Sequence, residues 1–182
     1  MAEWKAIDCA KQYLGMKEVP GHQSNPAILA MLKMDMQWPK DDATPWCSAF
    51  ANWVAFNMGL ERTKSLRARS WLTVGTPVSL DEADGNTVVI FSRGRGKQPG
   101  PEVINAPGHV AFFSENDSWT SHKRLQSWKY HQALVAGPTV IDMNAPYEES
   151  IYVVGGNQGD KVSEKHYPIR RVLGYRKLAR LG

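Results

Sequence analysis

Three side chains in the 182-residue sequence are of types that cooperate in nucleophilic catalysis: Cys47, His109 and Asn157. A cysteine thiolate can attack a carbonyl carbon, a histidine can take the proton of the thiol, and an asparagine oxygen can accept the other imidazole N–H and so hold one tautomer. The three residues are 62 and 48 positions apart, which decides little because such groups meet in space rather than in sequence. The elements that carry them must therefore bring them together.

Cys47 lies where a loop is predicted to become a helix. Thr44 is a suitable N-cap, Pro45 suits the first helical position, and apolar residues at helical spacing continue to Gly59, which ends the pattern. Free backbone N–H groups and the positive end of the helix dipole are expected to lower the pKa of a thiol in this first turn. Such a thiol would suit a redox sensor as well as a hydrolase. Cys9, in the pattern of an earlier helix, is predicted to be a small packed residue.

His109 is the candidate base because it opens a predicted strand, where a rigid element can direct its ring at a helix terminus. The other four histidines lie in a turn, in residues 115–150 or in a polar segment near the end, and the alternative for His109 is a hydrogen-bonded histidine at a strand end. Asn157 stands in a Gly-Gly-Asn-Gln run after another predicted strand. If the two strands pair, Asn157 can reach the imidazole; otherwise the run is only a turn.

The pattern of apolar residues predicts helices at 3–14, from 24 or 25 to 36, at 45–58 and at 65–72, and strands at 87–91, 108–113, 151–154 and 172–176. Helices followed by a meander of strands predict an α+β fold with the helices packed on a small antiparallel sheet. Residues 92–107 are predicted to be a mobile loop. Residues 115–150 are predicted to be an insertion, either a substrate flap or an extra layer. The length favours a single domain over 1–182.

Charge and composition limit the classes of partner that the protein is expected to bind. Lys and Arg number 22 against 18 Asp and Glu, and the net charge of +4 favours an anionic partner such as nucleic acid, a membrane surface or a carboxylate-rich cell wall. No nucleic-acid-binding signature is present, and no segment has the apolar run of a signal peptide or the roughly 18 apolar residues of a membrane span. We therefore expect synthesis in a cytoplasm, no nucleic-acid partner and no stable membrane insertion. Metal-ligand spacing and a glycosidase carboxylate pair are also missing, so no metal and no cofactor are expected.

A set of segments carries a family resemblance: Pro-Trp-Cys-Ser-Ala-Phe-Ala-Asn-Trp, Ser-Trp-Leu, Val-Val-Ile-Phe, Gly-His-Val-Ala-Phe-Phe and Val-Val-Gly-Gly-Asn-Gln, in that order. The chain resembles the CHAP and NlpC-type superfamily of papain-like cell-wall hydrolases, and most of all its phage endolysin branch, over nearly its whole length except residues 115–150. The resemblance implies a papain-like fold with Cys47 as nucleophile at a helix N-terminus, His109 as base and then acid, and Asn157 as the third residue. The chain departs from the family pattern at Asn86, where an aspartate is frequent, and at Gly155, where many members carry a glutamate.

The resemblance also implies a substrate, an amide bond in the peptide part of bacterial peptidoglycan. Trp46, Trp71 and Gln158 are expected to contact that substrate. The expected protein is a monomer that waits in the host cytoplasm and acts on the wall after release. Two alternatives stay open: a non-catalytic relative that binds the wall or belongs to a phage particle, and a papain-like toxin or acyltransferase that acts on a different acyl group.

Overall fold

The computed structural model describes residues 3–21, 23–114 and 150–182, and in this part the chain is mixed α/β. The α-helices come first: α1 (Ala6–Lys11), α2 (Pro26–Lys33) and α3 (Cys47–Asn57). The strands are β1 (Thr76–Val78), β2 (Thr87–Ser92), β3 (Gly108–Phe113), β4 (Ser150–Gly155), β5 (Ser163–Pro168) and β6 (Val172–Lys177). Short 3-10 helices span Ala68–Thr73, Leu80–Glu82 and Ile169–Arg171. The arrangement is compatible with the predicted α+β class.

All six strands belong to one antiparallel sheet with the order β1-β6-β2-β3-β4-β5. Alternate residues of the central strands face opposite sides, as the pleat requires. Val88, Ile90, Val110 and Phe112 pack with the helices, and the intervening residues form a second apolar cluster on the other side with Tyr167. Both faces of the sheet are thus buried, which fixes the register of the strands that border the candidate site.

Helix α2 begins where a side chain satisfies one of its first N–H groups. The Asn25 side chain accepts a hydrogen bond from the Ala27 amide at 2.9 Å and Pro26 occupies the first position of α2. The prediction for α3 was wrong by two residues, because its N-cap is Trp46 and its first helical residue is Cys47 rather than Pro45. The thiol therefore lies at the start of the helix itself.

Several other elements differ from the predictions. The helix predicted at 3–14 spans only Ala6–Lys11, and the helix predicted to continue to residue 36 ends at Lys33. Residues 65–72 were predicted as a helix, but the structure has a 3-10 helix that begins at Ala68. Strands β1 and β5 were not predicted, and both lie at the edges of the sheet, where the apolar alternation that marks a strand is weak. The predicted insertion lies outside the described residues, except for Ser150, which opens β4.

Candidate active site

Cys47 lies at the start of α3, a helix that packs against β3. The backbone amide of Val110 in β3 hydrogen-bonds the Cys47 sulfur and lowers the pKa of the thiol. The thiol thus contacts the residue that follows His109 in β3, and it is only 4% exposed.

Burial changes the chemistry expected for this thiol. Desolvation raises the pKa of Cys47, while the amides of Val110 and Ser48 and the charge of Arg93 lower it to a smaller extent. The net direction is opposite to the lowered pKa predicted from the helix start alone. The physical reason is that a charged sulfur loses more hydration in this closed position than the helix amides return. Cys47 is therefore a neutral thiol at rest.

His109 belongs to a stack of aromatic rings. Its ring is nearly parallel to those of Tyr167, with centroids 5.1 Å apart, and Phe91, at 6.2 Å, and Tyr167 stacks on Phe91 at 4.6 Å. Phe91 and His109 are partners in the β2–β3 ladder, so the sheet register sets this contact. The imidazole is 6% exposed, and its plane is fixed by neighbours on rigid strands.

Gln158 holds one nitrogen of this ring. Its Oε1 lies 3.0 Å from His109 Nε2, and its Nε2 donates to the backbone carbonyl of Ser163. Because a carbonyl can only accept, the amide nitrogen of Gln158 must face Ser163 and its oxygen must face the imidazole. His109 Nε2 therefore carries the proton, and Nδ1 is the basic nitrogen of the neutral ring.

Asn157, predicted as the third residue, is not the residue that hydrogen-bonds His109 in the structure. Asn157 adopts a left-handed backbone conformation, with φ of 56°, in the turn after β4, and its neighbour Gln158 is the residue whose side chain reaches His109. The Gln158 amide is buried, and its backbone N–H bonds the carbonyl of Lys161 at 2.9 Å, which closes the turn. Gln158 was expected to contact substrate, but its amide is already occupied by the imidazole and Ser163.

The pKa of His109 follows from the same closed surroundings. Burial lowers it to about 4, the hydrogen bond to Gln158 raises it, and the charges of Arg93 and Lys165 lower it further. The imidazole is therefore neutral over the whole range above about pH 5. It is thus available as a proton acceptor at neutral pH.

Trp46 and Trp71 were expected to line a substrate groove, but both are fully buried. The indole N–H of Trp46 donates to Glu18 at 2.7 Å, and its ring packs so closely under Gly156 that a Cβ there would lie 2.6 Å from it. The indole N–H of Trp71 donates to the hydroxyl of Ser48, in the first turn of α3, at 2.9 Å. Their role is to support the turn that carries Gln158 and the helix start that carries Cys47.

Two residues near the site were missed from the sequence. Tyr167 lies in β5, and burial together with the nearby Cys47 raises its pKa to about 12, so its hydroxyl keeps its proton. Arg93 follows β2, and its charge acts on the titrations of Cys47, His109 and Tyr167. A signal for Tyr167 was present, as an aromatic residue in a polar segment, but nothing in the sequence paired that segment with the strand of His109.

A buried arginine organises the loop that leads into His109. The guanidinium of Arg69 donates to the carbonyls of Pro99, Gly100, Val103 and Pro107 at 2.7 to 3.2 Å. Gly108 passes so close that a Cβ there would lie 2.8 Å from Arg69 Cγ. The backbone immediately before the base is thus tied to the 3-10 helix that carries Arg69.

Comparisons of the chain with models of protein families, with curated proteins and with solved structures found no match. What the site can do therefore follows from its own geometry and chemistry. Among the described residues, no group of three or more His, Cys, Asp or Glu side chains could hold a metal ion, and no helix there has the length and apolar character to cross a bilayer. The site combines a buried thiol at the start of α3 with a neutral imidazole of fixed tautomer on β3, and these are the two groups that nucleophilic attack assisted by a general base requires.

Proposed function

We propose that the protein has a papain-like fold and is a cysteine amidase or peptidase that cleaves an amide bond in the peptide part of bacterial peptidoglycan. The observation that carries the proposal is the arrangement of Cys47, His109 and Gln158, in which the thiol, the base and the group that orients the base come from a helix start, a strand and a turn. Gln158 takes the position that the resemblance gave to Asn157. An uncharged amide can fill this role because it needs only to accept the Nε2–H of His109.

In the proposed reaction His109 takes the proton of the Cys47 thiol and later gives it to the leaving amine. As Sγ of Cys47 attacks the carbonyl carbon, Nδ1 of His109 accepts the thiol proton, and the carbonyl oxygen gains the negative charge. The C–N bond then breaks and the imidazolium gives its proton to the leaving amine, which leaves a thioester. Water attacks the thioester with His109 again as base, so that the new carboxylic acid is released and the thiol is restored.

The helix start supplies electrostatic help to this reaction. The first N–H groups of a helix have no partner within it, so the amide of Cys47 is a candidate donor to the developing oxyanion. The net charge of +4 favours approach to a wall rich in carboxylates. The resemblance of the segments around Cys47 and His109 selects peptidoglycan among the possible amide substrates.

The test compares wild type with Cys47→Ala on purified peptidoglycan, with released fragments identified by mass spectrometry. Wild type should release peptide fragments, and Cys47→Ala none. The matched control is Cys9→Ala, because Cys9 is also a buried free cysteine but belongs to α1. If Cys47→Ala released the same fragments as wild type, the proposed mechanism would be wrong.

The same digestion in ¹⁸O-labelled water separates hydrolysis from the alternatives. Hydrolysis adds one ¹⁸O to each new carboxylate, whereas an acyltransferase would yield a product joined to an acceptor amine and no label. A protein that only binds the wall would co-sediment with peptidoglycan and release nothing as wild type. Either of these two outcomes contradicts the proposal.

A further inference from the structure

A pocket of about 270 Å³ lies at the end of β2, outside the group of residues that surrounds the thiol. Its charged lining residues are all cationic: Lys97, Arg170 and Arg171. Ser92 and Gln98 add a hydroxyl and an amide, and no acidic residue is among the described residues that line it. A concave surface of this composition is suited to an anionic oxygen group.

The pocket borders the candidate active site. Ser92 pairs with Gly108 in the β2–β3 ladder, one position from the Phe91–His109 pair. The hydroxyl of Ser92 donates to the carbonyl of Arg171 at 3.3 Å, which ties the start of β6 to the end of β2. The pocket therefore lies at the end of the strand pair that carries His109.

Charge also links the two places. Arg93 stands between Ser92 and Gly94, both of which line the pocket, and its charge acts on Cys47 and His109. Arg171 lines the pocket and acts on Tyr167, which stacks on His109. Positive charge at and next to the pocket thus acts on groups of the candidate active site.

We propose that this pocket binds a carboxylate of the substrate through Lys97 and Arg171 and so sets which amide bond reaches Cys47. The inference rests on the proposed function, because peptide substrates of a cell wall carry carboxylates close to the amide bonds that link them. A phosphate group has similar oxygen chemistry, and the experiment separates the two. Arginine is suited to bidentate pairing with a carboxylate and lysine to a single charged contact.

The test uses two synthetic wall peptides that differ in one group, a free carboxylate in one and a carboxamide in the other. Lys97→Gln and Arg171→Gln should each raise KM for the carboxylate peptide about tenfold, the loss expected for a charged hydrogen bond, with kcat little changed. Neither variant should change KM for the carboxamide peptide. The matched control is Arg95→Gln, an exposed cation of the same loop that does not line the pocket.

Three outcomes would overturn the inference: equal effects of Lys97→Gln on both peptides, an equal effect of Arg95→Gln, or competition by inorganic phosphate at concentrations where acetate has no effect. Calorimetry on the Cys47→Ala variant tests the pocket even if wild type cleaves neither peptide. In that case, tighter binding of the carboxylate peptide that is lost in Lys97→Gln supports the pocket although the proposed function has failed. Equal binding of the two peptides counts against it.

Discussion

Replacement of Gln158 by Met tests the link between the third residue and the base. Methionine is unbranched and of similar length, so it fills the same buried space. It can neither accept well from the Nε2–H of His109 nor donate to the carbonyl of Ser163, both of which Gln158 does in the structure. The imidazole then loses the contact that selects its tautomer.

The expected loss follows from the hydrogen bond that is removed. During attack His109 becomes an imidazolium, and a hydrogen bond to a charged group contributes about 1.5–3 kcal/mol. Because each ~1.4 kcal/mol changes a rate tenfold, kcat/KM should fall by roughly 10- to 150-fold. The unpartnered Ser163 carbonyl should also lower the free energy of unfolding by about 1–3 kcal/mol, which a urea titration measures.

The pH dependence of kcat/KM separates a change at His109 from a loss of stability, because a less stable protein would not have a different pKa for its base. His109 must be neutral to accept a proton, so kcat/KM of wild type should be flat above about pH 5 and fall on the acid side near its pKa of about 4. The hydrogen bond to Gln158 raises that pKa. In Gln158→Met the acid limb should therefore move to lower pH while the plateau falls.

The matched control is Asn157→Gly. Glycine tolerates the φ of 56° at this position and removes only the side chain. Its kcat/KM should stay within about twofold of wild type, a change below ~0.5 kcal/mol. A large loss in Asn157→Gly with little change in Gln158→Met would refute the assignment of Gln158 and restore Asn157 as the third residue.

The other predictions concern protonation and packing. The pKa of His109 falls from 6.5 to about 4 on folding, so the unfolded chain binds more protons than the folded chain between these pH values. The free energy of unfolding of wild type should therefore fall by about 3 kcal/mol from pH 7 to pH 4, compared with His109→Gln. Urea titrations at each pH measure this difference. Iodoacetamide should label native Cys47 slowly at pH 6 and faster toward pH 9, as it should Cys9, because burial raises the pKa of both thiols. A labelling rate of Cys47 that is constant from pH 5 to 7 would instead indicate a preformed thiolate and contradict the prediction. Gly108→Ala should lower the melting temperature through its clash with Arg69 and lose about 1–3 kcal/mol of stability; an unchanged melting temperature contradicts the close approach.

The fold could be predicted where the apolar pattern is strong. Strands β2 and β3 are almost continuous buried runs and β4 is mostly buried, and all three were predicted within one residue at each end. Strand β5 could not be, because Ser163–Pro168 is polar and forms a strand only by pairing with β4 along its whole length. Partner strands rather than local propensity decide such an edge.

The sequence was enough to predict which types of residue form the candidate site, but not how those residues are oriented or how deeply they are buried. Cys47 and His109 were identified from a helix start and a strand start, but Gln158 and Asn157 are adjacent in a turn, and only the backbone angles decide which side chain turns toward the imidazole. The solvent exposure of Trp46 could not be predicted either, because a tryptophan is equally suited to the wall of a groove and to a core. The complete burial of Trp46 and the close approach of Gly156 to its ring place it in the core.

The shifted pKa values of Cys47 and His109 determine the charge state of the site in the absence of substrate. The pKa of His109 is about 4 and burial raises that of Cys47, so transfer of the proton from sulfur to imidazole is unfavourable before the two charges attract each other. The positive charge of Arg93 is part of both shifts, because it favours the thiolate and opposes the imidazolium. The thiol proton therefore moves only when a carbonyl is present to accept the sulfur, and reagents that require a free thiolate should react far more slowly than amide substrates bound against His109.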